Sequence, residues 1–333
     1  MKKAADILLS GGLVAFPTET VYGLGADAYN SGALVKIFEA KNRPFFDPLI
    51  IHIAAIETLE EVADLSVLDE KTKYRLFLLA EKLWPGPLSI ILPKSDKIPG
   101  VATAGLSTAA IRFPSHETAQ NLISLSSGAV AAPSANPFGS LSPTRAEHVM
   151  DSLGEKADMI LDGGPARIGV ESTVIDITGK EIRILRHGGT PKETIESCIG
   201  KVFCEDSCEV DTKKSLVSPG QLKSHYAPKT PLLVFNMEEI LSLPCKKDTA
   251  LLFFDNSSRD SWLKERSAHN IHTAVLSACG NVSEAASRLF ETLHELDKSG
   301  FSGIYAQLAP QKGLGQAIND RLLRACESFK KLP

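Results

Sequence analysis

The chain has 333 residues, of which 43% are hydrophobic and 23% are charged. This composition is typical of a folded globular protein and excludes a disordered or collagen-like chain, and the length favours two domains. Its 36 basic and 40 acidic side chains give a formal charge of −4, and the 19 basic and 24 acidic groups of residues 1–200 make that part acidic. The charge balance argues against a protein that coats nucleic acid.

The sequence contains no apolar run of the ~18 residues that a membrane span needs. The start carries two lysines, but Asp6 and the pair Gly11-Gly12 interrupt the apolar residues, which favours a short amphipathic helix ended by glycine over a signal peptide. The six cysteines show no C-x-x-C pair and predict reduced thiols. A zinc site at Cys198, Cys204 and Cys208 is the alternative. We therefore expect a cytoplasmic protein without membrane contact.

Short runs rich in Val and Ile alternate with helical patterns, which predicts an α/β protein. Before residue 200 the predicted strands are Leu13–Phe16, Leu49–Ile53, Leu88–Leu92, Ala109–Phe113, Val130–Ala132, Met159–Leu161, Thr173–Ile177 and Ile182–Leu185. The predicted helices are Ala33–Ala40, Thr72–Trp84, Glu117–Leu125 and Ala146–Leu153. Two segments, Thr144–Glu147 and Thr190–Glu193, fit a capping box that would begin a helix.

From about residue 203 to 231 the pattern gives way to charged and turn-forming residues, which predicts a linker stiffened by prolines. Beyond the linker, the predicted strands are Leu232–Phe235, Ala250–Phe254, His272–Leu276 and Gly303–Ala306, and the predicted helices are Ser283–Leu296 and Ala317–Phe329. We predict a first domain at 1–202, a linker at 203–231, and a small parallel three-layer domain at 232–333.

Polar loops lie at the ends of several predicted strands, where α/β proteins place ligands, and one of them follows the predicted helix Ala33–Ala40. They lie at 17–25, 41–47, 132–144, 169–173 and 186–189. Each has a plainer interpretation: 17–25 as an ordinary turn, the basic pair after the second helix as compensation for its dipole, and 132–144 as a Ser/Pro loop rather than an anion site. The pair Gly23 and Gly25 lacks the third glycine of a dinucleotide site and indicates a tight turn.

Arg112 lies inside an apolar strand, and an unpaired buried charge is costly, so it requires an anionic partner. His52, also in an apolar strand, is interpreted from the residues alone as a core histidine. The positions of Lys41, Arg43 and Arg186 predict that these cations converge with Arg112 on a polyanion. The sequence has no phosphate loop, no nucleophile elbow and no zinc-protease helix.

At these loops the sequence resembles the YrdC-like family of L-threonylcarbamoyladenylate synthases in its long two-domain form. The motifs cover essentially the whole chain: PTETVYGLGADA at 17–28, KNRPFFDPLIIHI at 41–53, WPGPLSIIL at 84–92, STAAIRFPSH at 107–116, AAPSANPFGSLSPT at 131–144, DGGPARIGVESTVID at 162–176, ILRHGG at 184–189, SPGQLKSHYAP at 218–228 and GLGQAINDRLLRA at 313–325. The resemblance implies a YrdC-like twisted mixed-sheet domain followed by a smaller Rossmann-like α/β domain.

The resemblance also implies a reaction in which L-threonine, bicarbonate and ATP give threonylcarbamoyl-AMP and pyrophosphate. Mg²⁺ would accompany ATP, and no organic cofactor would be bound. The product would supply the threonylcarbamoyl group for the adenosine beside the anticodon of tRNA. A separate transferase would bind the tRNA, so the resemblance implies weak or no direct tRNA binding by this chain.

The resemblance further implies the roles of individual residues. The threonine site would comprise Thr20, His52, Arg112, the backbone at Ala132, and Ser172. The ATP site would comprise Arg43, Asp47, Thr108, Ser134, Ser142, Arg186 and Tyr226. Lys41 and Arg43 would be catalytic. Asp47 departs from the asparagine usual in this motif, and a carboxylate suits a triphosphate less well than an amide unless it meets magnesium or the ribose.

Three hypotheses accompany this interpretation. The linker around 224–228 would close over the site as a lid, so deletion of 218–228 should cripple synthesis. A double-stranded RNA-binding or ribosome-assembly module is the alternative from another class, because YrdC-like domains are also connected with RNA. Carbamoyl transfer to a protein thiol is a further alternative, which the lack of an acylphosphatase or zinc-finger segment disfavours.

Overall fold

The computed structural model describes residues 1–204, 222, 225–243, 248–264 and 271–329. These residues divide into two compact units. The first unit holds 1–138, 143–167 and 171–204, and the second holds 139–142, 168–170 and the described residues from 222 onward. The predicted division at 1–202, 203–231 and 232–333 stays a prediction, because most of the intervening segment lies outside the described residues.

The first unit is built on one mixed sheet flanked by helices. Its helices are α1 (Lys2–Leu9), α2 (Ser31–Lys41), α3 (Leu59–Val62), α4 (Glu70–Leu83), α5 (Glu117–Leu125), α6 (Ala146–Ser152) and α7 (Lys192–Ile199). Its strands are β1 (Val14–Phe16), β2 (Gly23–Asp27), β3 (Ile50–Ile53), β4 (Leu88–Pro93), β5 (Thr108–Arg112), β6 (Ala129–Ala131), β7 (Met159–Ile160), β8 (Thr173–Asp176), β9 (Arg183–Arg186) and β10 (Phe203–Cys204). In the described residues the strand order is β10-β9-β8-β4-β5-β3-β6-β2-β1-β7.

The two faces of this sheet bury different sets of side chains, because successive residues of a strand point to opposite faces. Ile90 and Ile111 belong to the large core beneath one face. Their neighbours Ile91 and Ala110 belong to a small apolar cluster, together with Ile50, Val174 and Leu185. The face with the small cluster has room for polar side chains.

Helix α2 brings a lysine into the interior. The side chain of Asn30 caps its start by accepting a hydrogen bond from the Ala33 amide, and Asn42 ends it in the left-handed conformation with φ 51°. The buried positions Ala33, Ile37 and Lys41 are four residues apart and lie on one face of the helix. Lys41 is thus directed inward by the same periodicity that buries its apolar neighbours.

The second unit is a four-stranded parallel sheet with helices between its strands. The strands are β11 (Leu232–Phe235), β12 (Thr249–Asp255), β13 (His272–Ser277) and β14 (Gly303–Gln307), and the helices are α8 (Met237–Ser242), α9 (Asn256–Lys264), α10 (Val282–Lys298) and α11 (Gly315–Glu327). In the described residues the order is β11-β14-β12-β13, with every pair parallel. The predicted class, a mixed-sheet domain followed by a Rossmann-like domain, is confirmed.

Several local predictions are wrong. The segment from Gly23 to Gly25 is the start of strand β2 rather than a turn. Neither predicted capping box forms: α6 begins after Arg145 and α7 after Pro191, both without a side-chain cap. The Thr190 amide instead donates to Thr173 Oγ1 at 3.0 Å, because the loop before α7 is tied to strand β8.

The second unit shows a further difference from the predictions. The sequence analysis missed the short helices α8 and α9, and α8 has a capping box of its own, between Asn236 and Glu239. Among the residues that the structure describes, no helix combines the length and apolarity of a membrane span. The described cysteines, Cys198, Cys204, Cys279 and Cys326, are free. Cys208 lies outside the described residues.

Candidate active site

A single register row crosses the sheet of the first unit and carries several polar side chains. Arg186 on β9 pairs with Val174 on β8, and Val174 pairs with Ser89 on β4. Ser89 pairs with Arg112 on β5, and Arg112 pairs with His52 on β3. Directly paired residues of neighbouring strands point to the same face. The row therefore sets Arg186, Ser89, Arg112 and His52 on one face of the sheet.

Arg112 has the anionic partner that its burial requires. Its Nη2 lies 2.7 Å from Glu19 Oε1, and both side chains are buried. Its Nε donates to the carbonyl of Gly86 at 3.3 Å. The prediction that a strand arginine needs an anion is confirmed, and the partner comes from the loop between β1 and β2.

His52 is neutral in this environment. Burial, and then the charge of Arg112, lower its pKa to about 3. Its Nδ1 lies 3.2 Å from the carbonyl oxygen of Ile50, which accepts a hydrogen bond when Nδ1 carries the proton. A neutral imidazole beside Arg112 adds no second cation to this part of the site.

Thr20 is held by a network of its own loop. Thr18 Oγ1 donates to the carbonyl of Val21 at 2.6 Å, and Thr18 and Thr20 share a hydroxyl–hydroxyl bond of 2.8 Å. Since the single proton of Thr18 is committed to Val21, the Thr20 hydroxyl donates to Thr18. The oxygen of Thr20 keeps its acceptor capacity for another group.

Ser172 joins the register row from a neighbouring loop. Arg186 donates from Nε and Nη2 to the Ser172 carbonyl at 3.1 and 3.0 Å, and from Nη2 to Ser172 Oγ at 3.1 Å. Ser172 Oγ lies 2.8 Å from Ser89 Oγ. This chain of hydrogen bonds fixes the Arg186 guanidinium beside the same face as Arg112.

Lys41 and Arg43 form a second cationic group around Asp47. Lys41 Nζ donates to the carbonyl of Ser134 at 2.6 Å and to that of Asn136. Arg43 Nη2 lies 3.0 Å from Asp47 Oδ2, and the buried guanidinium also donates to the backbone of Asp47 and Pro48. The loop is therefore fixed by its own arginine.

The electrostatics of this group favour an anionic ligand. Burial, with Arg43 as the next cause, holds the pKa of Lys41 well below its usual value. Burial raises the pKa of Asp47, while the charges of Arg43, Lys41 and Arg186 act in the opposite direction. Three basic side chains thus act on one buried carboxyl group, which leaves an excess of positive charge. Lys41, Arg43 and Arg186 thus lie near one carboxyl group, while their convergence with Arg112 on a polyanion stays a prediction.

Three further predicted residues lie in the first unit at less buried or backbone positions. Thr108 begins β5 and is half-buried. The amide of Ala132 donates to the carbonyl of Ile50 at 2.9 Å, next to β3. Ser134 is half-buried, and its carbonyl is the acceptor for Lys41.

The remaining two predicted residues, Ser142 and Tyr226, belong to the second unit. The carbonyl of Ser142 accepts from His294 Nε2 at 3.1 Å. Tyr226 is buried, with the Arg321 guanidinium carbon 4.9 Å from its ring centroid, and the next residue, Ala227, donates to the carbonyl of Gly139 at 2.8 Å. The other linker residues of the lid hypothesis, 205–221 and 223–224, lie outside the described residues.

The family is decided by comparison with known proteins. Residues 6–188 match the Sua5/YciO/YrdC family model, described as telomere recombination. Residues 190–326 match the model of the threonylcarbamoyl-AMP synthase C-terminal domain. The chain belongs to the Sua5/YrdC family. The resemblance stated from the motifs is thereby confirmed over both units.

Relatives in this family are similar over nearly the full chain. A threonylcarbamoyl-AMP synthase of Pyrococcus abyssi is 41% identical over 97% of this chain and 92% of its own length. One of Bacillus subtilis is 39% identical over the same shares. The crystal structure of P. abyssi Sua5 complexed with L-threonine matches with a TM-score of 0.87 at 40% identity, over 98% of this chain and 94% of that one.

Two residues of this Sua5/YrdC site were missed by the sequence analysis. Ser89 stands between Val174 and Arg112 in the register row and bonds to Ser172. Glu19 lies in the polar loop 17–25 but was given no role, although it is the partner of Arg112. The signal for Ser89 was a hydroxyl inside the apolar run at 88–92. The pairing of Glu19 had no local signal, because it joins distant parts of the chain.

Proposed function

We propose that this chain synthesises L-threonylcarbamoyl-AMP from L-threonine, bicarbonate and ATP, with release of pyrophosphate. The observation that carries the proposal is the single sheet face on which Arg112 and His52 stand in one register row with Arg186, which belongs to the cationic group around Asp47. One end of the row suits an amino acid and the other suits a triphosphate. The names of the relatives and the threonine complex of P. abyssi Sua5 support this assignment.

Threonine would bind around Arg112. Nη1 of Arg112 donates to no group in the described part of the chain, so it is available to the carboxylate of the amino acid. Thr20 offers its hydroxyl oxygen, while neutral His52, the backbone at Ala132 and Ser172 complete the pocket. These side chains recognise polar groups without adding a second positive charge.

ATP would bind at the other end of the row. Arg43 and Arg186 are fixed by hydrogen bonds before any ligand arrives, which lowers the cost of ordering them around phosphate groups. Thr108 and Ser134 would supply hydroxyl groups. Ser142 and Tyr226 belong to the second unit, so the register row of the first unit does not include them. Their part in the ATP site rests on the family motif alone.

Asp47 serves in this proposal to orient Arg43 rather than to contact ATP. Its carboxylate is fully buried and lies 3.0 Å from Arg43 Nη2. A carboxylate placed there holds the arginine and offsets part of the surplus positive charge. The departure from asparagine is therefore compatible with ATP binding.

The chemistry requires positioning more than a protein nucleophile. The ammonium of threonine first releases a proton to solvent, and the neutral amine then attacks the carbon of bicarbonate. A C–N bond forms, and water leaves to give a carbamate. A carbamate oxygen then attacks the α-phosphorus of ATP, and pyrophosphate leaves. Lys41, Arg43 and Arg186 would stabilise the charge that develops on the phosphate oxygens.

Mg²⁺ would enter as the companion of ATP. No three His, Cys, Asp or Glu side chains in the described ranges form a group that could hold a metal ion. Phosphate oxygens of ATP and water would therefore be its expected ligands. The product is a reactive mixed anhydride, which we expect a separate transferase to consume in modifying tRNA.

The test is the substrate requirement of pyrophosphate release. The chain is incubated with MgATP in carbon dioxide-free buffer, and L-threonine and bicarbonate are added singly and together. We expect rapid release only with both, and an ATP-derived product that carries the threonine carbon atoms. Release that needs neither substrate would overturn the proposal, as would salt-sensitive RNA binding without turnover.

A further inference from the structure

The buried carboxylate of Glu19 forms an ion pair but accepts no hydrogen bond from the described residues. Its side chain is 1% exposed, and Oε1 faces Arg112 Nη2 at 2.7 Å. Both carboxylate oxygens are buried and accept no hydrogen bond within the described residues, so Oε1 meets Arg112 as an ion pair and Oε2 has no donor. A buried carboxylate oxygen normally accepts hydrogen bonds, because leaving it without a donor costs free energy. The missing donor is what a ligand in this pocket would supply.

The neighbouring side chains do not fill this position. His116 is close enough for the charge of Glu19 to act on its pKa, but its Nδ1 accepts from the Thr118 amide and its ring also bonds to the backbone at Gly163. The hydroxyl of Thr18 is committed to the carbonyl of Val21. In the described residues the donors around Glu19 are thus engaged elsewhere, apart from Arg112.

The ion pair matches the charges of an amino acid. An α-amino acid carries its carboxylate and its ammonium on the same carbon atom, so a site for it needs a cation and an anion side by side. Arg112 and Glu19 provide these two charges in contact, in the pocket that the proposed function assigns to threonine. The carboxylate of the ligand would pair with Arg112, which leaves its ammonium to face Glu19.

We propose that Glu19 binds the ammonium group of the amino acid substrate and is a specificity-determining residue of this site. The inference rests on the proposed function, because it places threonine at Arg112. It predicts that a ligand with the carboxylate and hydroxyl of threonine, but without the amine, gains nothing from Glu19. A role limited to orienting Arg112 predicts the opposite, since every carboxylate ligand would then depend on Glu19.

The experiment compares two ligands by calorimetry on the full chain. L-threonine is one, and (R)-3-hydroxybutanoate, which lacks only the amine, is the other and is measured by competition. With Glu19→Gln we expect the Kd of threonine to rise at least about tenfold, the loss of one charge-assisted hydrogen bond, and the Kd of the analogue to stay within about twofold. Glu117→Gln, at an exposed position of α5, is the matched control and should change neither.

Each other outcome overturns the inference. An equal loss for both ligands would mean that Glu19 only orients Arg112, and tighter binding of both would mean that it competes with their carboxylates. If Glu19→Gln fails to fold, Glu19→Asp keeps the charge but shortens the side chain, and it should weaken threonine alone. Failure of the wild-type chain to bind threonine would reject the proposed function itself, whereas wild-type binding that Glu19→Gln leaves unchanged would reject only the role of Glu19.

Discussion

The first unit holds two buried arginine–carboxylate pairs that differ in how they are assembled. Arg43 and Asp47 are four residues apart on one loop, and Arg43 also donates to the carbonyls of Asp47 and Pro48. Arg112 on β5 forms an ion pair with Glu19 from the loop after β1, and in the described residues it donates a hydrogen bond to the carbonyl of Gly86. The local pair fixes the shape of a loop through the backbone bonds of Arg43, whereas the distant pair joins two separate segments of the chain. In both pairs the carboxylate oxygens are buried without a hydrogen-bond donor among the described residues.

Substitution of Arg112 tests the pair of Arg112 and Glu19 and should have the largest effect. Arg112→Ala removes the partner of the threonine carboxylate and leaves Glu19 buried without its cation, so we expect the threonine KM to rise by about a hundredfold or more. Pyrophosphate release at varied threonine measures it. Arg112→Lys keeps the charge without the planar guanidinium, so its threonine KM should lie between those of the wild type and Arg112→Ala. An unchanged KM in Arg112→Ala would show that threonine binds elsewhere.

Substitution of Lys41 tests the cationic group around the pair of Arg43 and Asp47. Lys41→Ala should lower kcat by about a hundredfold at saturating threonine, because a positioned charge near the phosphates is lost. The threonine KM should change little. Lys36→Ala is the matched control, since Lys36 lies on the same helix and also donates to a backbone carbonyl, that of Gly11. Equal effects of the two substitutions would remove Lys41 from the catalytic group.

The protonation of His52, which lies beside Arg112, should make the stability of the first unit depend on pH. Its pKa is lowered from 6.5 to about 3 in the folded chain, so the unfolded chain binds more protons and stability is lost as the pH falls below 6.5. From pH 7 to pH 5 this group should cost about 2 kcal/mol of unfolding free energy. Urea unfolding of the wild type and of His52→Gln at both pH values measures the difference. Parallel losses would mean that His52 is accessible to protons in the folded chain.

Substitution of Asp47 should have the smallest effect on activity. Asp47→Asn restores the amide usual in this family motif and removes the one carboxylate among three cations, so the KM for ATP should fall by a few fold. Without ATP the variant should unfold at a lower temperature than the wild type, and ATP should reduce the gap. Thermal unfolding with and without ATP checks both points. A large rise in the KM for ATP would instead give Asp47 a direct role in binding.

The sequence predicted the elements whose burial follows a simple period. Strands such as β4 and β11 were found because their apolar runs are distinct, and α10 because its apolar residues recur at helical spacing. Strand β2 was missed because it contains two glycines. Gly25 has no room for a side chain, since a Cβ there would lie 2.7 Å from Phe16 and 2.8 Å from Val130. That constraint arises from packing across the sheet and leaves no periodic pattern.

The site was predictable to the extent that its chemistry is local. Burial of a charge in an apolar strand was enough to require an anion near Arg112, but not to choose Glu19. The same limit applies to Ser89, whose meaning depends on the register between β4, β5 and β8. Register is set by the whole sheet, so motifs supply candidate residues while the fold decides which of them touch.

Two short segments from the first 202 residues, 139–142 and 168–170, belong to the second unit, and this has a consequence for shortened chains. Gly169, with φ +76°, packs so closely on α10 that a Cβ would lie 2.4 Å from the Ala286 carbonyl oxygen, and Gly139 and Ser142 accept hydrogen bonds from Ala227 and His294. A stop codon after residue 202 would remove these partners. Such a truncation would alter the surroundings of Ser142, a residue of the proposed nucleotide site, without changing any residue of the first 202.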